Sequence, residues 1–286
     1  MSHHCSPLRY PGGKNCIFPF VSKLFRENDL IGSSYAEPYA GGAGLALRLL
    51  FEEYVDRVYI NDLDRSIYAF WLAVLTRTDA LCEWIDKIEV TTSNWKTYKQ
   101  IQSAAATADL FELAKSTFFL NRTNVSGVLK GGIIGGQAQL GKYKIDARFN
   151  KHDLITRIER ISRFRDRIHL SNLDGVKFVR KIDSKATSVF MYLDPPYFQK
   201  GADLYLNFYV ESDHKRLAKY VHAMKNRWMV SYDYHDFILN LYATQGKLLY
   251  RLSQSTSNRV GNEVLVLSES LRYSDSMHAL NSACLI

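Results

Sequence analysis

Ser188-Val189-Phe190-Met191-Tyr192-Leu193-Asp194-Pro195-Pro196-Tyr197 opens as an apolar run and closes on an acid, two prolines and a tyrosine. The run from Ser188 to Leu193 reads as a buried strand. The prolines end the hydrogen-bonding ladder and fix the backbone. Asp194 and Tyr197 are thereby held at the carboxyl edge of a sheet, where open α/β folds bind their ligands. A fixed hydrogen-bond acceptor beside a flat ring is what a site needs to hold a planar base by its amino group.

A second motif lies upstream. Tyr35 to Pro38 reads as a short strand, and it runs through Glu37-Pro38-Tyr39-Ala40-Gly41-Gly42-Ala43-Gly44 into a helix from about Ala43 to Tyr54. Strand, glycine loop and helix in this order bring backbone close to a nucleotide-containing ligand. Asp62 follows Gly44 by 18 residues, at the end of the strand Val58–Asn61, where an acid accepts hydrogen bonds from ribose hydroxyls. The spacing is not that of a pyrophosphate-binding loop, and Glu37 would repel a pyrophosphate. A ligand with ribose but no phosphate fits better. S-adenosylmethionine is such a ligand, and its sulfonium tolerates acids.

Further strands are expected at Ile168–Leu170, Ser188–Leu193, Trp228–Tyr232, Lys247–Leu252 and Glu263–Ser268. Helices are expected over Cys16–Glu27, Arg65–Arg77, Asp79–Ile88, Trp95–Ser103 and Asp109–Thr117. A further helix, Asp213–Lys225, is expected to be capped by Ser212. Alternation of this kind argues a doubly wound, mainly parallel sheet. Between the two motifs, Asn121 to Lys144 is polar and glycine-rich, which predicts a mobile hairpin or loop. Asn150 then caps an amphipathic helix whose inner face is Leu154, Ile158, Ile161, Phe164 and Ile168, with Arg157, Arg160 and Arg167 projecting elsewhere. The stretch after Ser268 carries no readable pattern, and Tyr273–Ile286 is expected to lie outside the ordered fold.

With 286 residues and 47% hydrophobic residues, the chain can build one large α/β domain with an insertion, or two small domains. No apolar run is long enough for a membrane helix, and Met1–Arg9 has no signal-peptide core. Cys5, Cys16, Cys82 and Cys284 are scattered, without the pairing of a zinc or disulfide framework. A reducing cytoplasm is the expected setting. His214 and His235 read as core or surface residues, and no metal ligand set is seen. Net charge is +8. From Lys142 to Lys181 there are twelve Lys or Arg and five Asp or Glu, 12 − 5 = +7, so the excess sits in one stretch and points to a polyanion partner.

With both motifs in place, the chain resembles the Dam-like adenine-specific (N6) DNA methyltransferases from Pro7 to about Ser268. Five pieces match in order: Pro7–Lys14, Glu37–Gly44, Tyr59-Ile60-Asn61-Asp62, Asn121-Arg122 with Gly127, and Asp194–Tyr197. The resemblance implies a seven-stranded Rossmann-like methyltransferase sheet carrying an inserted target-recognition region. The catalytic domain would occupy 1–77 and 166–270, the insertion 78–165 and a tail 271–286. Tyr10, Gly13, Lys14, Glu37, Pro38, Ala40, Gly41, Gly44, Asp62, Asp174 and Asp194 would line an S-adenosylmethionine pocket, with Asp174 near the cofactor adenine. Asp194 and the Pro195 carbonyl would hold the target amine, Pro196 would stiffen the motif, and Tyr197 would stack on a flipped base, with Tyr205 and Phe208 helping to close over it. Double-stranded DNA is the implied partner. Asn121, Arg122, Lys130, Lys142, Lys144 and Arg157 are the candidate DNA contacts. The family often has Phe-Asn-Gly where this chain has Val125-Ser126-Gly127, which leaves the recognition sequence open. The alternatives are a methyltransferase acting on RNA or another amine, and a DNA-binding protein that has lost catalysis. No protein partner is indicated.

Overall fold

The computed structural model describes residues 5–9, 14–184, 188–198, 209–254 and 259–286. In chain order the strands are β1 (Ser33–Glu37), β2 (Val55–Asn61), β3 (Ile168–Ser171), β4 (Val189–Leu193), β5 (Trp228–Asp233), β6 (Gly246–Gln254), β7 (Arg259–Leu267) and β8 (Cys284–Leu285). They form one sheet in the order β3-β2-β1-β4-β5-β7-β6-β8. The first five are parallel. β7 runs antiparallel between β5 and β6, and β8 extends the far edge antiparallel to β6.

The chain leaves β1 outward to β2 and β3, and returns to pair β4 against the other side of β1. The carboxyl ends of β1 and β4, neighbours by the pairing Ala36↔Met191, therefore flank the point where strand order reverses. Crevices of open α/β sheets form there. Glu37 is the last residue of β1, and Asp194 follows the last residue of β4.

Helices cover both faces. α1 (Phe18–Glu27), α2 (Gly44–Phe51), α3 (Arg65–Thr76), α4 (Thr78–Lys87), α5 (Thr92–Ser103), α6 (Leu110–Thr123) and α7 (Lys151–Ser162) pack into one core. α8 (Gly175–Asp183), α9 (Glu211–His222) and α10 (Asp236–Leu241) pack into the other. Side chains of 78–165, among them Leu81, Phe119 and Ile158, belong to the same apolar cluster as Tyr35 and Phe190 of the sheet. Residues 78–165 thus share the sheet's core.

Several expectations are corrected. α6 continues to Thr123 rather than stopping near Thr117, because Phe118, Phe119 and Leu120 are wholly buried and favour another turn. Ser212 is not the cap of α9: Val210 holds that position, and the Asp213 carboxylate accepts from the Val210 N–H at 3.1 Å. The tail joins the fold. Glu27 accepts from the N–H groups of Asp275 and Ser276, Leu280 is buried, and Cys284–Leu285 supplies an eighth strand beyond the expected seven. The basic stretch 142–181 is divided in space, since α7 and α8 lie on opposite faces of the sheet. Charge adjacent in sequence is not one patch here.

The glycine-rich stretch is also more built than a loose loop. Val125 N–H donates to the Gly132 carbonyl and Ile134 N–H to Thr123. Asn124, fully buried, donates to the Val128 and Leu129 carbonyls and accepts from the Trp95 indole at 2.7 Å. This side-chain amide takes the place that a regular ladder would fill elsewhere.

Candidate active site

Four segments meet at the switch point. The β1–α2 loop turns sharply: Gly41 and Ala43 both have positive φ, at 47°. The Gly41 carbonyl accepts from the buried Trp71 indole, and its N–H donates to Asp62 Oδ2 at 2.9 Å. Asp62 Oδ1 accepts from the Asp64 N–H at 2.9 Å. Burial, aided by Asp64, pushes the Asp62 carboxyl up to about 7 against these two bonds. Asn61 is a staple between the strand ends. Its amide donates to the Pro38 and Leu173 carbonyls, and its oxygen accepts from the Leu173 N–H. The loops after β1, β2 and β3 are thereby fixed to one another.

Glu37 is buried at 6% exposure and accepts from the Tyr35 hydroxyl at 2.9 Å. Burial raises its carboxyl to about 8, the tyrosine bond opposing. Pro38, Ala40 and Gly41 follow it directly and Gly44 opens α2. Asp174 caps α8 by accepting from the Lys177 N–H and pairs with Arg216 at 2.9 Å. It sits on the loop after β3, on the same edge of the sheet.

At the end of β4, Asp194 is held at both oxygens. Oδ1 accepts from the Ser231 hydroxyl at 2.6 Å, and Oδ2 from the Lys14 ammonium at 2.9 Å. Ser231 is itself hydrogen-bonded to Tyr192 at 2.8 Å. Burial raises the Asp194 carboxyl above its ordinary value; Lys14 works against that and Glu263 adds to it. Lys14, only 5% exposed in its side chain, also donates to the Tyr197 hydroxyl at 2.7 Å and lies 5.1 Å from the centre of that ring. A buried ammonium needs such partners. Tyr197 is 6% exposed, so its ring is covered in this structure, and its hydroxyl donates to Glu263 at 2.5 Å.

Glu263 has no place among the residues that the sequence pointed to. Its signal was an acid at the start of an otherwise apolar run, 66 positions from Tyr197 in the chain. Only strand pairing brings β7 to the site.

The candidate DNA contacts fall into two groups. Lys130, Lys142 and Lys144 are exposed on the glycine-rich loop, as are the apolar side chains of Val125, Leu140 and Tyr143. The others bind the chain to itself. Asn121 is buried; it accepts from the Arg9 N–H at 2.7 Å and donates to the Arg9 and Gly127 carbonyls. Gly127 has φ of 76°, and a β-carbon there would stand 2.6 Å from the Arg9 carbonyl oxygen, so only glycine fits. Arg122 donates to Arg148 and Pro7 carbonyls, and burial lowers its guanidinium to about 9, with Arg9 and Arg157 assisting. Arg157 pairs with Asp153 at 2.6 Å and donates to the Ser6 carbonyl. Tyr10, Gly13, Tyr205 and Phe208 lie outside the described residues.

A strand order of 3-2-1-4-5-7-6 with a glycine loop, a strand-end acid and Asp-Pro-Pro-Tyr at the switch point defines a Rossmann-like α/β methyltransferase domain. The model of the D12 class N6 adenine-specific DNA methyltransferases matches residues 10–256. The chain belongs to that family, the adenine-specific DNA methyltransferases. Among curated relatives, the type II methyltransferase M.CviBI of Paramecium bursaria Chlorella virus NC1A is 26% identical over 266 residues, covering 90% of this chain and 95% of that protein. Among solved structures, TrmN from Thermus thermophilus aligns with a TM-score of 0.39 and 9% identity over 87% of this chain and 48% of that one. A Listeria monocytogenes protein assigned to the class I S-adenosylmethionine-dependent methyltransferases aligns at 0.38 and 11%, over 89% and 59%. The chain thus spans about half the length of the first and 59% of the second. Among the described residues no helix is long and apolar enough to cross a membrane.

Proposed function

We propose that this enzyme transfers a methyl group from S-adenosylmethionine to the N6 amine of an adenine flipped out of double-stranded DNA at a short specific sequence. The observation that carries the reading is the Asp194 carboxylate, fixed at the switch point by Ser231 and Lys14. The cofactor supplies an activated methyl group on a sulfonium cation. The surroundings suit a cation: the acids Asp194 and Glu263 lie 2.9 and 3.8 Å from the Lys14 ammonium, and Glu37 is buried at the end of β1, the strand beside β4. Glu37, Pro38, Ala40, Gly41 and Gly44 would hold the cofactor on the glycine loop, Asp62 its ribose, and Asp174 would lie near its adenine. Lys14 would act from the floor of the pocket, with Tyr10 and Gly13 completing it.

The amine of adenine is a weak nucleophile because its lone pair is delocalised into the ring. Asp194 and the Pro195 carbonyl are two acceptors that draw its hydrogens towards a tetrahedral arrangement and aim the lone pair outward. The work left to the protein is positioning and local electrostatics. Pro195 and Pro196 keep the acceptors from moving. The target must leave the stack, since it is unreachable in a duplex. Stacking against Tyr197 requires the cover of its ring to open, and the hydroxyl's ties to Lys14 and Glu263 preserve the ring's orientation meanwhile. Lys130, Lys142 and Lys144, with exposed Tyr143, offer a surface for the backbone of the duplex. Four free cysteines suit a reducing cytoplasm.

The test separates binding from transfer. Asp194→Ala should lower the rate at least about a thousandfold, with cofactor affinity by calorimetry within about threefold. Equal loss of both would mean that Asp194 serves the cofactor rather than the amine.

A further inference from the structure

Glu263 is buried beside the site at 1% exposure, and it is the common partner of three side chains. Its Oε1 accepts from the Tyr197 hydroxyl at 2.5 Å, and its Oε2 from Tyr250 at 2.6 Å. Oε2 also lies 3.8 Å from the Lys14 ammonium. Lys14 in turn reaches Asp194 and the Tyr197 hydroxyl. Lys14, Asp194, Tyr197 and Glu263, drawn from distant parts of the chain, thus form a connected network of charge and hydrogen bonds. Tyr250 on β6 anchors the acid from behind.

We infer that Glu263 is a positioning residue for methyl transfer: it holds Lys14 and Tyr197 so that the ammonium meets Asp194 Oδ2 and Asp194 keeps its other face for the amine. The inference rests on the reading of Asp194 as the amine's acceptor. A carboxylate this buried is strongly disfavoured unless its oxygens are engaged. Glu263 has both oxygens engaged, and every donor named above is directed at the Asp-Pro-Pro-Tyr motif or braces the acid. If it served folding alone, an apolar side chain between β6 and β5 would do as well. The network also has a chemical consequence. Glu263 is the second acidic side chain beside Lys14, at 3.8 Å, so the ammonium is shared between it and Asp194. Asp194 therefore remains a better acceptor than it would be in an isolated pair. Glu263 also disfavours the ionised form of Asp194, so it tunes the pH at which the acceptor becomes available.

The test uses the full chain with Glu263→Gln, Glu263→Asp and Tyr250→Phe. Glu263→Gln keeps the shape and removes the charge. Its kcat should fall at least tenfold, with KM for duplex DNA within threefold, and the acid limb of its pH–rate profile should move to lower pH. Glu263→Asp keeps the charge but is too short for both tyrosines; its kcat should fall while the acid limb stays. Tyr250→Phe removes one tether and should lower kcat a few-fold even if the other variants do not fold. A folded Glu263→Gln with wild-type kcat and an unmoved acid limb would overturn the inference, as would a wild-type Tyr250→Phe where the Glu263 variants fail to fold. Asp194→Ala distinguishes the two levels: if it retains transfer, the reading of the site fails; if it abolishes transfer while Glu263→Gln is silent, only the positioning role fails.

Discussion

Replacing Glu37 with glutamine isolates the electrostatics of the proposed cofactor edge. The carboxyl has an ordinary value of 4.5 and stands at about 8 in the folded chain, because burial removes it from water. Between those values the folded protein keeps a proton that the unfolded chain has released. Stability must then fall as pH rises, by about 1.4 kcal/mol per pH unit, towards a ceiling of about 5 kcal/mol above pH 8. The amide of Glu37→Gln would have no proton to lose and would still accept from the Tyr35 hydroxyl. The stability of Glu37→Gln relative to wild type should therefore grow across this range and level off above it. Compactness of the unfolded chain and local relaxation reduce the figure, so a gain of at least about 2 kcal/mol between about pH 5.5 and 8.5 is the expected result. Urea denaturation of both proteins measures it. Asp62, raised to about 7, is present in both and cancels in the difference. A bound cation would draw the proton off Glu37, so wild-type affinity for S-adenosylmethionine should rise with pH up to about 8, and that of Glu37→Gln should not. A stability difference flat in pH would refute the reasoning, because Glu37 would then be an anion in the folded state throughout.

Replacing Lys130, Lys142 and Lys144 together with glutamine should reduce the salt dependence of duplex binding by about 3 in the slope of log K against log salt if all three reach phosphates; an unchanged slope would place the loop away from the duplex. Arg157→Ala should mainly loosen the N-terminal segment, since the guanidinium is occupied by Asp153 and the Ser6 carbonyl; it should change thermal stability more than the salt slope. Asn121→Ala removes three hydrogen bonds at a buried position, and should destabilise the fold by about 2–4 kcal/mol in urea titration.

What could be read from the chain and what could not follow from the range of each interaction. Strand, glycine loop and helix around Glu37–Gly44 are local, and so is the strand that ends at Asp194; periodicity and proline chemistry suffice for both. The meeting of these two segments follows from the parallel topology that the alternation implied. The Lys14–Asp194 contact spans 180 positions and Glu263 sits on an antiparallel strand, where an acid at the start of an apolar run looks like any strand-edge residue. The charge run 142–181 could not be read as one surface for the same reason: sequence counts charge along the chain, whereas the sheet sends α7 and α8 to opposite faces. Asn121 and Asn124 read as parts of a loose polar loop because an amide's value as a backbone partner is visible only when the carbonyls around it are in place.

The most direct test of the central claim is transfer of labelled methyl from S-adenosylmethionine to unmethylated duplex DNA, followed by nuclease digestion to identify the modified base, with Asp194→Ala alongside. The account predicts labelled N6-methyladenine from the wild type alone, confined to one short sequence. Label on another base, or equal labelling by Asp194→Ala, would contradict it.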